Sequence, residues 1–143
     1  MASLADIRAG IAANIKARFS DAQCTGYLLE NPFPPGFEVE IGTGGIVYDG
    51  AMSRGHDEWF FTIRGFAASG TDVAAQMRLD PWLSSTGAES VKAALEADRT
   101  LGGTVSDSHV TRVSQVRAFS PISNPNTTFF GAEWTLRVIA AGD

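Results

Sequence analysis

Glu58-Trp59-Phe60-Phe61-Thr62-Ile63-Arg64 is the stretch that decides the fold. Side chains alternate with a period of two along an extended chain, so Trp59, Phe61 and Ile63 fall on one side and Glu58, Thr62 and Arg64 on the other. That is a strand with one face toward a core. The end of the chain repeats the pattern, where Phe130, Ala132, Trp134, Leu136 and Val138 alternate with Glu133, Thr135 and Arg137. Between them, residues Val105 to Phe119 are rich in Val and Thr and predict a third long strand. Its alternation slips between Val110 and Val113, as a bulge or bend would make it do.

Working back toward the amino terminus, Phe37, Val39 and Ile41 alternate with Glu38 and Glu40 and read as a short strand. Gly42 to Gly45 reads as a hairpin turn, with another strand starting over Ile46 to Tyr48. Just before it, Asn31-Pro32-Phe33-Pro34-Pro35-Gly36 holds three prolines, which exclude helix and strand alike.

The periodicity changes elsewhere. Leu4, Ile7, Ile11 and Ile15 recur at helical spacing with Asp6, Arg8, Lys16 and Arg18 between them, predicting an amphipathic helix from Ser3 to Phe19. Ser3 followed by Asp6 resembles a capping box with the shorter acid. A second helix is expected from Thr71 to Leu83, with Ser69 and Asp72 offering caps and Val73, Met77 and Ala74 facing inward. Pro81 forces a kink or restart near Asp80. A third begins near Ala88, with Val91 and Leu95 inward and Lys92 and Glu96 paired one turn apart on the exposed side. Gly102-Gly103 ends it.

Strands thus cluster before and after a helical middle. The expected architecture is α+β: a mostly antiparallel sheet of about four strands, with an N-terminal helix and two middle helices packed on it. The 143 residues suit a single domain, 1–143. With 44% hydrophobic and 19% charged residues, neither a disordered nor a membrane chain is expected. No stretch approaches the ~20 apolar residues of a membrane span, and Asp6, Arg8, Asn14, Lys16 and Arg18 interrupt any signal-peptide reading of the start. The net charge of −5 and the scattering of Lys and Arg argue against general nucleic-acid binding, which needs clustered cations. A single cysteine, Cys24, precludes an internal disulfide and fits a reducing cytoplasm.

Catalytic and metal patterns are weak. His56-Asp57-Glu58 is the densest polar cluster, but adjacent residues on a strand point to opposite faces. His109 belongs to another strand, and Cys24 has no histidine at ligand spacing. Gly42-Thr43-Gly44-Gly45 lacks the Gly-Lys-Ser/Thr of a phosphate loop. Asp98 and Asp107, flanking the Gly102-Gly103 turn, read as solvated surface. Trp59 and Trp134 read as core, whereas Trp82, just after Pro81, could serve either a core or a subunit interface. No enzymatic activity and no cofactor are expected.

Three stretches read together resemble a known family. They are Tyr48-Asp49-Gly50-Ala51-Met52-Ser53-Arg54-Gly55-His56-Asp57-Glu58-Trp59, then Ala74-Ala75-Gln76-Met77-Arg78-Leu79-Asp80 with Trp82-Leu83, then Ser90-Val91-Lys92-Ala93-Ala94-Leu95-Glu96-Ala97-Asp98-Arg99-Thr100-Leu101-Gly102-Gly103. In order and spacing they resemble the tail terminator proteins of long-tailed (siphovirus) phages, especially those infecting actinobacteria. The pattern departs from the family at Val73, where an arginine is expected, and in a longer Pro/Asn loop from Ser120 to Thr128. The resemblance implies a virion protein that forms a hexameric ring, caps the tail tube, ends its polymerisation and offers a surface to head-completion and connector proteins. DNA would pass its lumen without specific binding. Another neck component, a head-completion or connector protein, is the alternative within the same class. A small enzyme using His56 or His109 and a monomeric binding module are the alternatives from other classes. The expected subunit or tube contacts are the loop residues Asp49, Met52, Arg54 and Asp57, with Asp80, Trp82 and Arg99 as further candidates.

Overall fold

The computed structural model describes residues 3–28, 33–48, 56–70, 72–120 and 128–141. The first helix, α1, spans Leu4–Arg18 and starts where expected: Asp6 N–H donates to Ser3 Oγ at 3.1 Å. Ile7, Ile11 and Ile15 are fully buried on one stripe of it. Two further helices, α2 (Val73–Leu79) and α3 (Val91–Leu95), are capped in the same way. Ala75 N–H donates to Asp72 Oδ1 at 2.9 Å, and Ala93 N–H to Ser90 Oγ at 3.1 Å. The break foreseen near Asp80 is present: α2 passes into a 3-10 helix, Asp80–Leu83, with Pro81 in its first turn.

Five strands form one sheet: β1 (Gln23–Cys24), β2 (Gly36–Val47), β3 (His56–Ser69), β4 (Asp107–Phe119) and β5 (Phe129–Ala141), in the order β1-β2-β3-β5-β4. The three junctions among the long strands are antiparallel, and β1 lies parallel to β2. The α+β class and the mostly antiparallel sheet therefore hold, but the count of about four strands does not. At two residues, β1 is too short to show an alternation. Its pairing comes instead from Gln23 and Cys24 lying beside Gly36 and Phe37.

The hairpin expected at Gly42–Gly45 is also absent. The chain runs straight through as one strand, and between Ile41↔Phe61 and Ile46↔Trp59 β2 advances five residues while β3 advances two. The glycines permit this irregularity rather than a reversal. Gly45 has φ +63°, and a Cβ on Gly44 would lie 2.6 Å from the Phe60 ring. The slip foreseen in β4 is real, since the register shifts between Val110 and Arg112. A second shift follows between Ser114 and Arg117.

All three helices pack on the same side of the sheet. Their buried residues, Ile7, Ile11, Ile15, Leu79, Val91, Ala94 and Leu95, join Phe37, Val39, Phe61, Ile63, Trp134, Leu136 and Val138 in one core. Trp134 is central to it, and Trp59 packs at its margin, stacked on Phe61 with centroids 6.1 Å apart. One expectation fails on rotation. Val73 and Met77 of α2 are 69% and 64% exposed, Ala74 is exposed too, and Ala75 and Leu79 are the inward residues. With only seven residues, α2 takes its rotation from its ends: Leu79 and Trp82, three residues apart, are both drawn into the core across the 3-10 turn. No helix among the described residues is long and apolar enough to cross a membrane.

Candidate assembly surfaces

The face of the sheet turned away from the helices carries the polar half of each alternation, and register brings charges from three strands together there. Arg64 of β3 lies opposite Glu38 of β2 and Glu133 of β5. Its Nη1 donates to Glu38 Oε2 at 2.5 Å and its Nη2 to Glu40 Oε1 at 2.7 Å. Nε donates to Glu133 Oε2 at 2.9 Å. Burial alone would lower the guanidinium pKa, but the hydrogen bonds to Glu133, Glu40 and Glu38 outweigh it and hold the group above its ordinary value. Further along the same two strands, Arg137 of β5 pairs with Glu58 of β3. Phe66, Phe119 and Phe129 form a small apolar cluster on the same side, and Arg117 lies 4.1 Å from the Phe119 ring centroid.

Among the described residues, both lateral edges of this sheet lack a strand partner over most of their length. There β4 pairs only with β5, and on its outer edge Val110 N–H donates to Glu96 Oε2 at 2.9 Å. On the other side β1 covers just Gly36 and Phe37 of β2, and Val39 N–H donates to Tyr27 O at 3.3 Å. The Tyr27 segment is held there by Arg8 of α1, whose Nη1 donates to Gly26 O at 2.6 Å and whose guanidinium lies 4.6 Å from the Tyr27 ring centroid. Beyond Val39, the outer edge of β2 through Val47 has no strand partner among the described residues. Exposed apolar side chains occur at both edges: Ile41 and Val47 on β2, Val113 and Val116 on β4.

The residues nominated from sequence scatter. Asp49, Met52 and Arg54 lie outside the described residues. Asp57 stands on β3 opposite Ala140, half-buried. Asp80 is exposed at the start of the 3-10 helix. Arg99 is exposed but already engaged, with its Nε and Nη2 donating to both oxygens of Asp107 at 2.8 and 2.9 Å. Trp82 is the clear correction: 5% exposed and stacked on Phe37 with centroids 4.7 Å apart, it belongs to the chain's own core and has no surface for a partner. Asp98 and Asp107 are likewise structural rather than merely solvated. Asp98 accepts from Thr100 N–H, Thr100 Oγ1 and Gly102 N–H, and the Thr100 hydroxyl leads the causes that lower its pKa. The hydrogen bond from Arg99 lowers that of Asp107. They brace a turn that Leu101, Gly102 and Gly103 pass through with φ 52°, 77° and 87°. Lys92 and Glu96 pair as foreseen, at 2.7 Å.

The histidines do not meet. His56 pairs with Ala141 and His109 with Arg137, on opposite sides of β5 and four residues apart along it, roughly 13 Å. Among the described residues no group of three His, Cys, Asp or Glu side chains is placed to hold a metal ion. A cavity of about 190 Å³ beside Trp82 is lined by Phe19, Asp21, Arg78 and Glu89. A shallow groove of about 470 Å³ runs along Ala5, Ala9, Ala12 and Ala13 of α1, with Cys24 and Lys16 at its side. Lys16 Nζ donates to Ala22 O at 2.7 Å, and burial pushes the Cys24 thiol up to about 11, against a small opposing effect of Lys16. That thiol is no nucleophile at neutral pH.

The signal for the Arg64 cluster was in the sequence. Glu38, Glu40, Arg64 and Glu133 all occupy the polar phase of their strands. Only the register, which alternation does not supply, makes them one group. The sequence matches no protein-family model and no curated protein.

Proposed function

We propose that this chain is a ring-forming structural subunit, and that the ring is the tail terminator of a long-tailed phage. It would sit on the end of the tail tube, stop polymerisation and present a joining surface to head-completion proteins. The observation that carries the reading is the one-sided sheet, with every described helix on one face and both edges open beyond β1. A subunit that needs two different neighbours needs two different free sides. The three stretches Tyr48–Trp59, Ala74–Leu83 and Ser90–Gly103 supply the tail-terminator part of the reading. The net charge of −5 supports a lumen that lets DNA pass without adhering.

The test is negative-stain imaging of the purified chain, alone and mixed with tail tubes. Rings seated on tube ends, and tubes that no longer elongate, are the expected result. A chain that neither self-associates nor decorates tube ends would refute the reading. Rings that bind a portal or connector in preference to tubes would move the subunit to another position in the neck.

A further inference from the structure

We propose that copies of this chain join head to tail, the outer edge of β4 on one copy meeting the outer edge of β2 on the next. The choice of a second copy as occupant rests on the ring-subunit reading. Which surfaces meet is argued from the strands themselves.

Charge is distributed unevenly across the sheet. On the face away from the helices, β2, β3 and β5 carry four carboxylates, Glu38, Glu40, Glu58 and Glu133, against two guanidiniums, Arg64 and Arg137. The surplus lies toward β2, where Glu38 and Glu40 share Arg64 with Glu133. On β4, Arg112 and Arg117 occupy the same face, opposite Thr135 and Gly131. Both are exposed, and neither has a carboxylate partner among the described residues. The carboxylates at the β4 edge, Asp107 and Glu96, are matched by Arg99 and Lys92. Among the described residues Arg112 and Arg117 thus leave that edge with a positive surplus, while the open face toward β2 has a negative one.

This asymmetry selects the geometry. A two-fold contact of β4 with β4 would set arginines against arginines, and one of β2 with β2 would set carboxylates against carboxylates; both repel. The β4-to-β2 contact pairs opposite signs. Strand direction agrees: three antiparallel junctions separate β2 from β4, so they run in opposite directions. A neighbour placed beside β2 with its helices on the same side therefore brings its β4 in antiparallel, the sense the sheet already uses. Val113, opposite Trp134, and Ile41, opposite Phe61, are then both exposed apolar side chains on the helix side of the seam.

The bulges set the character of the joint. The irregularity of β2 between Ile41 and Ile46 and the two shifts of β4 interrupt any continuous ladder. Recognition is therefore by side chains, led by charge and sensitive to salt. A long unbulged edge would instead invite indiscriminate sheet extension.

The experiment is a charge swap read by analytical ultracentrifugation or light scattering over a range of protein concentration and salt. Arg112→Glu/Arg117→Glu makes both edges acidic, and Glu40→Lys reverses the exposed charge at the β2 edge so that it meets the β4 arginines with the same sign. Each alone should self-associate more weakly by on the order of 100-fold. Mixed one to one, the two should recover assembly, because every joint in an alternating ring pairs opposite signs. Circular dichroism melts check that each variant is folded; should Glu40→Lys fail to fold, Glu40→Gln takes its place and must weaken association and flatten its salt dependence. Wild-type rings that persist unchanged in the folded Arg112→Glu/Arg117→Glu variant overturn this joint and leave the ring reading standing. A wild-type chain that stays monomeric at every concentration and on tail tubes overturns both.

Discussion

Replacing Arg64 with methionine removes the one cation that three carboxylates share. The side chain of Arg64 is 19% exposed, and those of Glu38 and Glu133 are 9% and 18% exposed, so all three are mostly withdrawn from water. Breaking a buried ion pair from one side costs roughly 3–5 kcal/mol, mainly because the remaining charge is left uncompensated. Here the low end applies, about 3 kcal/mol, because Glu40 is 37% exposed and its charge is well screened by solvent. Urea unfolding followed by circular dichroism at neutral pH measures it, with the m-value checked so that the shift reports stability and not a changed denatured state. The decisive arm is compensation. If orphaned charge is the cause, adding Glu38→Gln and Glu133→Gln to Arg64→Met recovers most of the loss, even though more native groups have been removed. A loss under about 1 kcal/mol for Arg64→Met, or a triple variant less stable than the single one, would refute this account of the cluster.

Three more outcomes are expected. Leu79→Ala costs about 2–5 kcal/mol and Met77→Ala stays within about 0.5 kcal/mol in the same urea assay; equal losses would mean that α2 is rotated differently. Cys24, whose thiol is pushed up to about 11 by burial, carries roughly 100-fold less thiolate than an ordinary 9.0 group at neutral pH. Native alkylation should therefore be slower than alkylation in denaturant by about that factor, and comparable rates would contradict the assignment. Asp98 and Asp107 have lowered pKa values, held down by Thr100 and by Arg99 respectively. Their stabilisation is therefore present above the ordinary carboxylate range near pH 4 and is lost as pH falls through their folded values. Urea midpoints measured from pH 6 down to pH 2 should fall, with Arg99→Ala reducing the Asp107 part. A midpoint that rises on acidification would reverse the sign.

Legibility in the sequence followed the length of each periodic run. Thirteen-residue β5 shows its alternation five times over, and its core face was readable without knowing its neighbours. The bulge around Thr111 in β4 was readable for the same reason, as a slip in an otherwise regular series at Val110 to Val113. Short elements defeated the reading: β1 is two residues long, and the seven residues of α2 offer Val73 and Met77 or Ala75 and Leu79 as equally spaced stripes. Propensity does not choose between those stripes, because the choice is made by Trp82 reaching Phe37 at the far end of the 3-10 turn. The glycine run in β2 misled for a related reason. Glycine permits a turn and an irregular strand alike, and only the partner strand decides which is formed. Single polar residues such as Arg54 or Asp80 could be nominated from loop position, but which charges answer one another depends on register across strands.

The placement of charge on the open face then bears on assembly. Arg64 and Arg137, in the middle of the sheet, are both satisfied within the chain, and the Glu38, Glu40, Glu133 and Glu58 carboxylates close around them. Charges so engaged would have to lose existing partners before gaining new ones, so the centre of that face is a poor place for a second copy to bind. Arg112 and Arg117 have no carboxylate to leave, although Arg117 donates to Gln115 Oε1 and Ala118 O and lies over the Phe119 ring; both stand exposed at the rim. The surplus at Glu40 is similar: Arg64 retains Glu38 and Glu133 if Glu40 turns outward. Recognition is thereby displaced from the broad face to the two edges. Sideways joining of subunits is the association that this displacement favours, and face-to-face stacking is the one it disfavours.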